Sequence, residues 1–380
     1  MSHSFSAERV EVDRGYDRIL LTAMMLLLGV GLAVLFSSSF FRSELLFADP
    51  FRFLTGQLLW VVVGCVVAAL VSTISLERVQ RFIPHALGIS LVLMILTFVP
   101  GIGTSIHGAR RWIFLFGRSF QPSELVKVVL VFYLAYLLAR KHEIMDDPVN
   151  ALLPPFLVLA LFSTLIYLQN DFSTSVFVML LGLVMFFVAG APIRYFLGLL
   201  MTVGPLGLIL LLSREHRVNR LLAYIEPAFD PAGSGYQILA AERALIAGGL
   251  WGQGIGMGTQ KFGRLPEVHS DFIFAVVAEE LGFVGVLAVI GLFAVFAWRG
   301  FVIAANAGDR FRSYLAFGLT TLILGQALLN IAVVGGAVPA TGLPLPFFSS
   351  GGSAMLMTLI ACGLLMNVSR HNPDGAGEYG

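Results

Sequence analysis

Three carboxylates surround the start of an apolar run in the segment LPEVHSDFIFAVVAEELG, residues 265–282. Asp271 stands where a polar loop meets the run, and Glu279 and Glu280 lie within it. Ionisable groups at membrane depth are costly and by default indicate a functional site. A carboxylate at the membrane boundary is suited to accept a proton from an attacking hydroxyl. The alternative is that Asp271 is a solvated loop residue or a helix N-cap. Glu279 lies two turns further along the same helix face and is expected to pair inside the bundle.

A second pair of charges lies in QPSELVK, residues 121–127. Pro122 is well placed to open a helix. Glu124 and Lys127 are three positions apart and therefore share one helix face. Charges inside an apolar span are usually paired and line a cavity or pathway. The pair either supports a functional site or only holds two helices together.

Asp171 lies in LQNDFST, residues 168–174, between two apolar runs. An Asp directly before an apolar run is typical of a helix N-cap. Its position between two spans also makes it a candidate for direct chemistry. Both roles remain open on the sequence alone.

The segment PATGLPLPFFSSGGSA, residues 339–354, contains three prolines and breaks any regular helix. Irregular backbone at membrane depth requires surrounding protein or a wet cavity. The segment is therefore expected to line a polar groove, or to form a seam of small residues where helices pack. Its candidate site residues are Ser349, Gly351, Gly352 and Ser353.

Basic residues concentrate in two segments between apolar runs. Residues 101–121 contain Arg110, Arg111 and Arg118. Residues 214–270 contain Arg214, Arg217, Arg220, Arg243, Lys261 and Arg264. Long loops are partly exempt from the rule that basic residues stay in the cytoplasm, so a soluble loop is one interpretation. The other is an anion site, because arginine binds phosphate and pyrophosphate through forked hydrogen bonds.

The composition indicates a polytopic membrane protein. Of the 380 residues, 57% are hydrophobic and 12% are charged, with a mean hydropathy of +0.87. A soluble domain has about 25% charged residues. Cys65 and Cys362 lie in apolar runs and are expected to be buried and unpaired. No signal peptide is expected. The glycine-rich stretch at 248–258 is not followed by the Lys-Ser/Thr pair that a phosphate-binding loop requires.

We expect an all-α fold with ten transmembrane helices, since each span needs about 20 residues. Arginine and lysine distribution predicts cytoplasmic termini. The expected parts are a cytoplasmic segment 1–18, a membrane domain 19–369 and a cytoplasmic tail 370–380. A large outer loop, 214–270, separates helices seven and eight. The apolar runs are 19–38, 53–74, 82–100, 122–139, 151–168, 172–190, 194–213, 271–298, 313–337 and 347–369.

Several long motifs together resemble the SEDS family (shape, elongation, division and sporulation). They are GARRWI (108–113), FQPSELVK (120–127), GYQ (235–237), GGLWGQGIGMG (248–258), QKFGRLPEVHSDFIFAVVAEELG (260–282) and VPATGLPLPFFSSGGS (338–353). The resemblance covers nearly the whole chain. The motifs are more similar to those of the septal members of the family than to those of the elongation members. The chain departs from the family pattern at Asn170 and Ser173, where Q-P-D-x-G-T is common, and at Ser350 and Ala354, where S-Y-G-G-S-S is common.

The resemblance implies a peptidoglycan glycosyltransferase with ten helices and a large outer loop. Such proteins polymerise lipid II, forming β-1,4 glycosidic bonds and releasing lipid pyrophosphate. The family's essential aspartate falls on Asp271, which is the predicted catalytic base. The predicted supporting or substrate-binding residues are Arg110, Arg111, Glu124, Lys127, Asp171, Gln237, Lys261, His269, Ser349, Gly351, Gly352 and Ser353. Outer-loop arginines or a divalent cation, Mg²⁺ or Mn²⁺, would stabilise the leaving group.

The expected partners are lipid II, a class B penicillin-binding protein (a transpeptidase) and other proteins of a division or elongation complex, but no nucleic acid. The expected location is the bacterial cytoplasmic membrane, at the septum. Helices eight and nine are the predicted docking surface, with small residues at Gly282, Gly285, Ala288 and Gly291. A lipid II flippase or other transporter and a non-enzymatic division scaffold are the alternative functions.

Overall fold

The protein is a bundle of helices with one small sheet, as seen in a computed structural model that describes residues 15–106, 109–115, 118–227, 230, 233–259 and 270–370. The helices are α1 (Arg18–Phe47), α2 (Arg52–Thr73), α3 (Leu76–Arg81), α4 (Ile83–Leu96), α5 (Pro122–Lys141), α6 (Leu153–Leu168), α7 (Phe172–Val188), α8 (Ile193–Leu212), α9 (Glu215–Ile225), α10 (Ser234–Gly248), α11 (Ile273–Ala305), α12 (Arg310–Val334) and α13 (Gly352–Arg370). The strands are β1 (Gly103–Ile106), β2 (Ala109–Leu115) and β3 (Arg118–Phe120).

Helix starts follow local chemistry that is visible in the sequence. The carboxylates of Asp17, Asp171 and Asp309 accept hydrogen bonds from backbone N–H groups in the first turns of α1, α7 and α12. Such caps satisfy donors that have no partner within the helix. Pro122 occupies the first position of α5, where its missing N–H costs nothing.

Each of the ten predicted apolar runs coincides with a helix. Within the described residues, seven helical segments are long and apolar enough to cross a membrane, and α4 and α7 are apolar but shorter. The prediction of a multi-helix membrane fold is confirmed, while the count of ten spans and the orientation stay predictions. Cys65 and Cys362 are free, as expected.

The prediction of an all-α fold is wrong for residues 103–120. This segment forms an antiparallel sheet in the order β1-β2-β3, with Gly103 paired to Ile113 and Ile113 to Phe120. Side chains alternate between the two faces of a strand. Ala109 and Ile113 are buried in β2, whereas Arg110 and Phe114 are exposed. The concentration of arginines obscured this alternation in the sequence.

The described residues of the predicted loop 214–270 include regular helix. This segment contains α9 and α10, and α10 packs against α11. The sequence of α9, EHRVNRLLAYI, is strongly amphipathic, as is typical of helices that lie at a membrane surface. Arg217 and Arg220 are therefore held on α9, and Arg243 is held on α10.

α11 is broken at Gly282, whose φ of 66° is left-handed. A Cβ at Gly282 would lie 2.2 Å from the backbone nitrogen of Gly252, so only glycine allows this contact. In return, Gln253 and Gly254 donate backbone hydrogen bonds to the carbonyls of Glu279 and Glu280, at 2.9 and 3.0 Å. The glycine-rich stretch is thus a loop that packs closely against a broken helix.

The buried acids near this break have polar partners. The Glu279 carboxylate accepts hydrogen bonds from the backbone N–H and hydroxyl of Thr259, at 2.7 and 3.1 Å. Glu280 accepts one from the hydroxyl of Ser37 on α1, at 2.7 Å. The expectation that Glu279 pairs inside the bundle is confirmed.

A buried charge pair lies on α5, which packs against α12. Lys127 Nζ lies 2.8 Å from the Glu124 carboxylate, with side-chain exposures of 2% and 6%. The predicted ion pair is confirmed, and its depth indicates that each charge depends on the other.

Removing one partner of this pair should destabilise the protein. Lys127→Met leaves Glu124 buried and unpaired, at a typical cost of about 3–5 kcal/mol. Replacing both residues, as Glu124→Gln with Lys127→Met, should recover much of the loss because no charge remains buried. Thermal unfolding of detergent-purified protein measures both effects. A Lys127→Met variant as stable as the unsubstituted protein would show that the pair contributes little.

Candidate active site

Asp271 lies in the turn that precedes α11 and is fixed through its backbone. Its carbonyl accepts a hydrogen bond from the Asn330 side-chain amide on α12, at 2.8 Å. The neighbouring carbonyl of Ser270 accepts one from the Ser349 hydroxyl, at 2.6 Å. Two other parts of the chain therefore hold this turn in place.

Asn330 joins two segments of the site. Its amide also donates to the Leu343 carbonyl at 2.9 Å, and the residue is only 1% exposed. Sequence reasoning missed it, although a single Asn in the apolar run of α12 was an available signal, because buried amides need partners. Ser349, which was predicted, accepts a hydrogen bond from the Leu345 N–H at 2.8 Å and so ties the proline-rich segment to the turn.

The Asp271 side chain faces the proline-rich segment. A Cβ placed on Gly342 would lie 3.4 Å from Asp271 Oδ2, and Gly342 has a φ of 74°. The left-handed φ favours glycine at this position, which lies in contact range of the carboxylate.

A cavity of about 810 Å³ opens beside this turn. Its walls come from β2, the start of α7, α9 and the proline-rich segment. The charged and polar residues lining it include Asp271, Asp171, Arg111, His216, Arg217, Asn219, Arg220, Asp230 and Thr341. Among the predicted site residues, the structure thus brings Asp271, Asp171 and Arg111 to one cavity.

Asp171 is a helix N-cap, which is one of the two roles that the sequence left open, while direct chemistry stays a prediction. It caps α7 by accepting a hydrogen bond from the Thr174 N–H at 3.2 Å. It also forms an ion pair with Arg111 at 2.9 Å and is 6% exposed. Arg111 Nε is buried and has no hydrogen-bond partner among the described residues. Arg111 itself is among the residues that line the cavity.

α9 gives the cavity a basic wall. The Arg217 guanidinium lies 4.6 Å from the Tyr167 ring and 5.0 Å from the Phe172 ring, and it donates to the Leu210 carbonyl at 2.7 Å. Stacking of this kind suits the planar guanidinium. Partial burial, followed by the charges of Arg217, Arg220 and Arg214, lowers the pKa of His216 below its usual value. His216 is therefore neutral at pH 7, and the arginines carry the positive charge.

Other predicted site residues lie away from the cavity lining. Arg110 is exposed on β2 and Gln237 is half-buried in α10. Ser353 accepts a hydrogen bond from the Gln121 N–H at 2.9 Å, which joins the starts of α13 and α5. Gly352, next to Gly351, packs against the Trp60 indole, where a Cβ would lie 2.1 Å from Nε1. Lys261 and His269 lie outside the described residues.

The arrangement combines a carboxylate with a cluster of arginines at one end of the helix bundle. A carboxylate can accept a proton from a hydroxyl, and guanidinium groups stabilise phosphate charge. Among the described residues there is no group of three or more His, Cys, Asp or Glu side chains arranged to hold a metal ion. The cavity suits an anionic substrate that also carries a hydroxyl nucleophile.

Two curated proteins of similar length are similar to this chain in amino-acid sequence. A probable peptidoglycan glycosyltransferase FtsW from Borreliella burgdorferi is 40% identical, covering 92% of this chain and 96% of the relative. Stage V sporulation protein E from Bacillus subtilis is 37% identical, covering 94% and 97%.

Solved structures have a similar fold. A chain from a peptidoglycan synthase complex, described as coordinating polymerization and crosslinking, matches with a TM-score of 0.75 and 30% identity, covering 93% of this chain and 98% of the other. The rod shape determining protein RodA from Thermus thermophilus matches with a TM-score of 0.68 and 28% identity, covering 94% and 98%.

The family of FtsW, RodA and SpoVE, described as cell cycle proteins, matches residues 17–374. The resemblance found in the sequence motifs is confirmed, and the chain belongs to this family, the SEDS family.

Proposed function

We propose that the chain is a peptidoglycan glycosyltransferase that joins lipid II units into glycan strands. The observation that carries the proposal is that Asp271 lines the same cavity as Arg111, Arg217 and Arg220, at the end of the membrane helices. Lipid II keeps its lipid in the bilayer and its sugars outside, so its pyrophosphate lies at the membrane boundary. The name of the Borreliella burgdorferi relative supports the same activity.

Asp271 is the general base in this proposal. The 4-OH oxygen of the acceptor sugar attacks the anomeric carbon of the donor, and the Asp271 carboxylate takes the hydroxyl proton. The bond between that carbon and the pyrophosphate oxygen breaks, and the lipid pyrophosphate leaves with the electron pair. Asn330 and Ser349 keep the base in position by holding its backbone and that of Ser270.

The arginines stabilise the leaving group. Arg111 is held by its ion pair with Asp171, and Arg217 is fixed beside two rings before any substrate arrives. Donors that are fixed in advance need no reorganisation during the reaction. Arg220 adds a third guanidinium to the lining.

A divalent cation is part of the proposal. Mg²⁺ is commonly bound by one or two carboxylates together with substrate phosphates, and Asp271 and Asp171 both line the cavity. Asp171 is already paired with Arg111, so Asp271 would be the carboxylate that holds Mg²⁺ or Mn²⁺ arriving with the pyrophosphate. The cation would supply additional neutralisation of phosphate charge.

The proposed setting is the bacterial cytoplasmic membrane with both termini in the cytoplasm and the cavity on the outer face. The arginine and lysine distribution supports this orientation. The FtsW name of the Borreliella burgdorferi relative supports a septal role in cell division.

The proposed partner is a class B penicillin-binding protein, and the synthase complex with a similar fold supports such an assembly. The structure narrows the docking surface predicted from the sequence. Gly282 is buried against the glycine-rich loop and so is not part of that surface. Ala288 and Gly291 are exposed on α11, and Gly285 is half-buried, which allows a partner helix to approach closely.

Asp271→Asn tests the base directly. The amide cannot accept the proton, and loss of a positioned base typically costs about 10²–10⁴-fold in rate. We expect the variant to fold and to produce almost no polymer from lipid II. The measurement is gel analysis of glycan strands made by purified protein with its partner.

Asp49→Asn is the matched control, because Asp49 is an exposed turn-capping aspartate that accepts the Phe51 N–H at 2.9 Å. It should polymerise normally. Near-normal polymer from folded Asp271→Asn would exclude Asp271 as the base. Lipid movement without polymer from the unsubstituted protein would favour the transporter, and complex assembly without any polymerase activity would favour the scaffold.

Arg220→Gln tests the leaving-group site. Loss of a charge-assisted hydrogen bond costs about 1.5–3 kcal/mol, so polymerisation should slow by roughly 10- to 100-fold. Arg214→Gln is the control, since Arg214 is exposed just before α9 and outside the cavity lining. The measurement is the initial rate of lipid II consumption by each of the two variants. Equal effects of both substitutions would refute a specific role for Arg220.

The partner surface is tested by photo-crosslinking in membranes. A photoreactive residue at Gly291 should capture the transmembrane helix of a class B penicillin-binding protein. The same residue at Met201, exposed on α8, should not. Capture at Met201 but not at Gly291 would move the interface to another face of the bundle.

A further inference from the structure

A second cavity lies at the opposite end of α8 from the candidate active site. It occupies about 270 Å³ between the start of α6, the end of α7 and the start of α8. Its walls are almost entirely apolar and include Phe156, Leu183, Phe186, Phe196 and Leu199. We refer to it as the α6–α8 groove. None of its residues has a part in the proposed reaction.

The groove is open because α8 does not close over it. None of the described side chains of α8 is fully buried. Gly198 lines the groove, and a Cβ built on it would meet no atom within 4 Å. Neighbouring Leu197 and Leu200 are exposed. In a membrane, this end of the groove faces lipid.

A fixed positive charge lies at the mouth of the groove. The Arg194 guanidinium stacks over the Tyr195 ring at 5.0 Å and donates to its hydroxyl at 3.2 Å. The Tyr195 hydroxyl in turn donates to the Asp146 carbonyl at 2.9 Å. Tyr195 therefore anchors the arginine to the loop before α6.

No carboxylate among the described residues lies within ion-pair distance of Arg194. The nearby Asp147 carboxylate accepts hydrogen bonds from the N–H groups of Val149 and Asn150 and from the Asn150 amide. It is thus engaged within its own turn. The charge of Arg194 remains available to an anion.

We propose that the α6–α8 groove binds one acyl chain of an anionic phospholipid from the surrounding bilayer, with the phosphate against Arg194. Basic pockets between helices on the cytoplasmic side are suited to such headgroups. The apolar walls of the groove suit the methylene groups of an acyl chain, and Arg194 at its mouth suits the phosphate.

The test uses the full chain in nanodiscs of zwitterionic phosphatidylcholine. Trace phosphatidylglycerol or phosphatidylcholine probes carry a photoreactive diazirine on one acyl chain, and mass spectrometry locates the labelled peptides. We expect labelling within residues 148–199 to favour the phosphatidylglycerol probe by about fivefold, the preference that one interfacial basic residue gives. Arg194→Gln should abolish that preference.

Two matched pairs of variants distinguish lipid binding in the groove from non-specific effects of a substitution on labelling. Arg140 stacks on Tyr136 at 5.4 Å and bonds to its hydroxyl at 2.7 Å, but lies outside the groove. Arg140→Gln should retain the preference. Gly198→Leu should fill the groove and reduce labelling by both probes. Gly207→Leu, at another α8 position where a Cβ meets no atom within 4 Å, should leave labelling unchanged.

The proposal fails if both probes label the segment equally, or if Arg140→Gln and Arg194→Gln reduce the preference to the same extent. It also fails if Gly198→Leu retains its fold on size-exclusion chromatography and still labels like the unsubstituted protein. Should Gly198→Leu not fold, the comparison of Arg194→Gln with Arg140→Gln decides the outcome, because both residues are exposed.

Discussion

The break in α11 at Gly282 is the constraint on which the packing of the glycine-rich loop and α1 against α11 depends. In a continuous helix, the carbonyls of Glu279 and Glu280 would accept hydrogen bonds from the next turn of the same helix. Because of the break, they instead accept hydrogen bonds from the backbone N–H groups of Gln253 and Gly254 in the glycine-rich loop. The Glu279 carboxylate then holds the end of that loop through Thr259. Glu280 holds α1 through Ser37. Buried carboxylates are stable here because each has a donor.

The membrane helices were predictable because each is a long apolar run, and the ion pair of Glu124 and Lys127 followed from helical spacing alone. The sheet at 103–120 was not predicted, because its strands are short and rich in arginine. The difference between Arg110 and Arg111 depends on that sheet, since its register shifts between the pairs Thr104–Trp112 and Ser105–Arg110 and leaves Arg111 without a partner on β1. Spacing in the sequence does not reveal which of two adjacent arginines faces a cavity.

The candidate site was also only partly predictable, because spacing in the sequence does not show which side chains meet in the folded chain. Asp271, Asp171 and Arg111 were expected, and they meet in one cavity. Asn330 and Arg217 were not singled out, because their roles arise from contacts between segments far apart in the chain. Asn330 reaches Asp271 and Leu343, and Arg217 lies over rings from the hairpin of α6 and α7. Such contacts form only when the bundle is packed.

Asn330 holds Asp271 by the backbone carbonyl, and that bond does not depend on which side chain residue 271 carries. A chain that has lost the carboxylate therefore keeps this support for the turn. In a cell with one normal and one altered gene copy, we expect the inactive protein to occupy places in the synthetic assembly. Loss of the carboxylate is then a dominant trait, whereas a substitution that unfolds the chain is recessive.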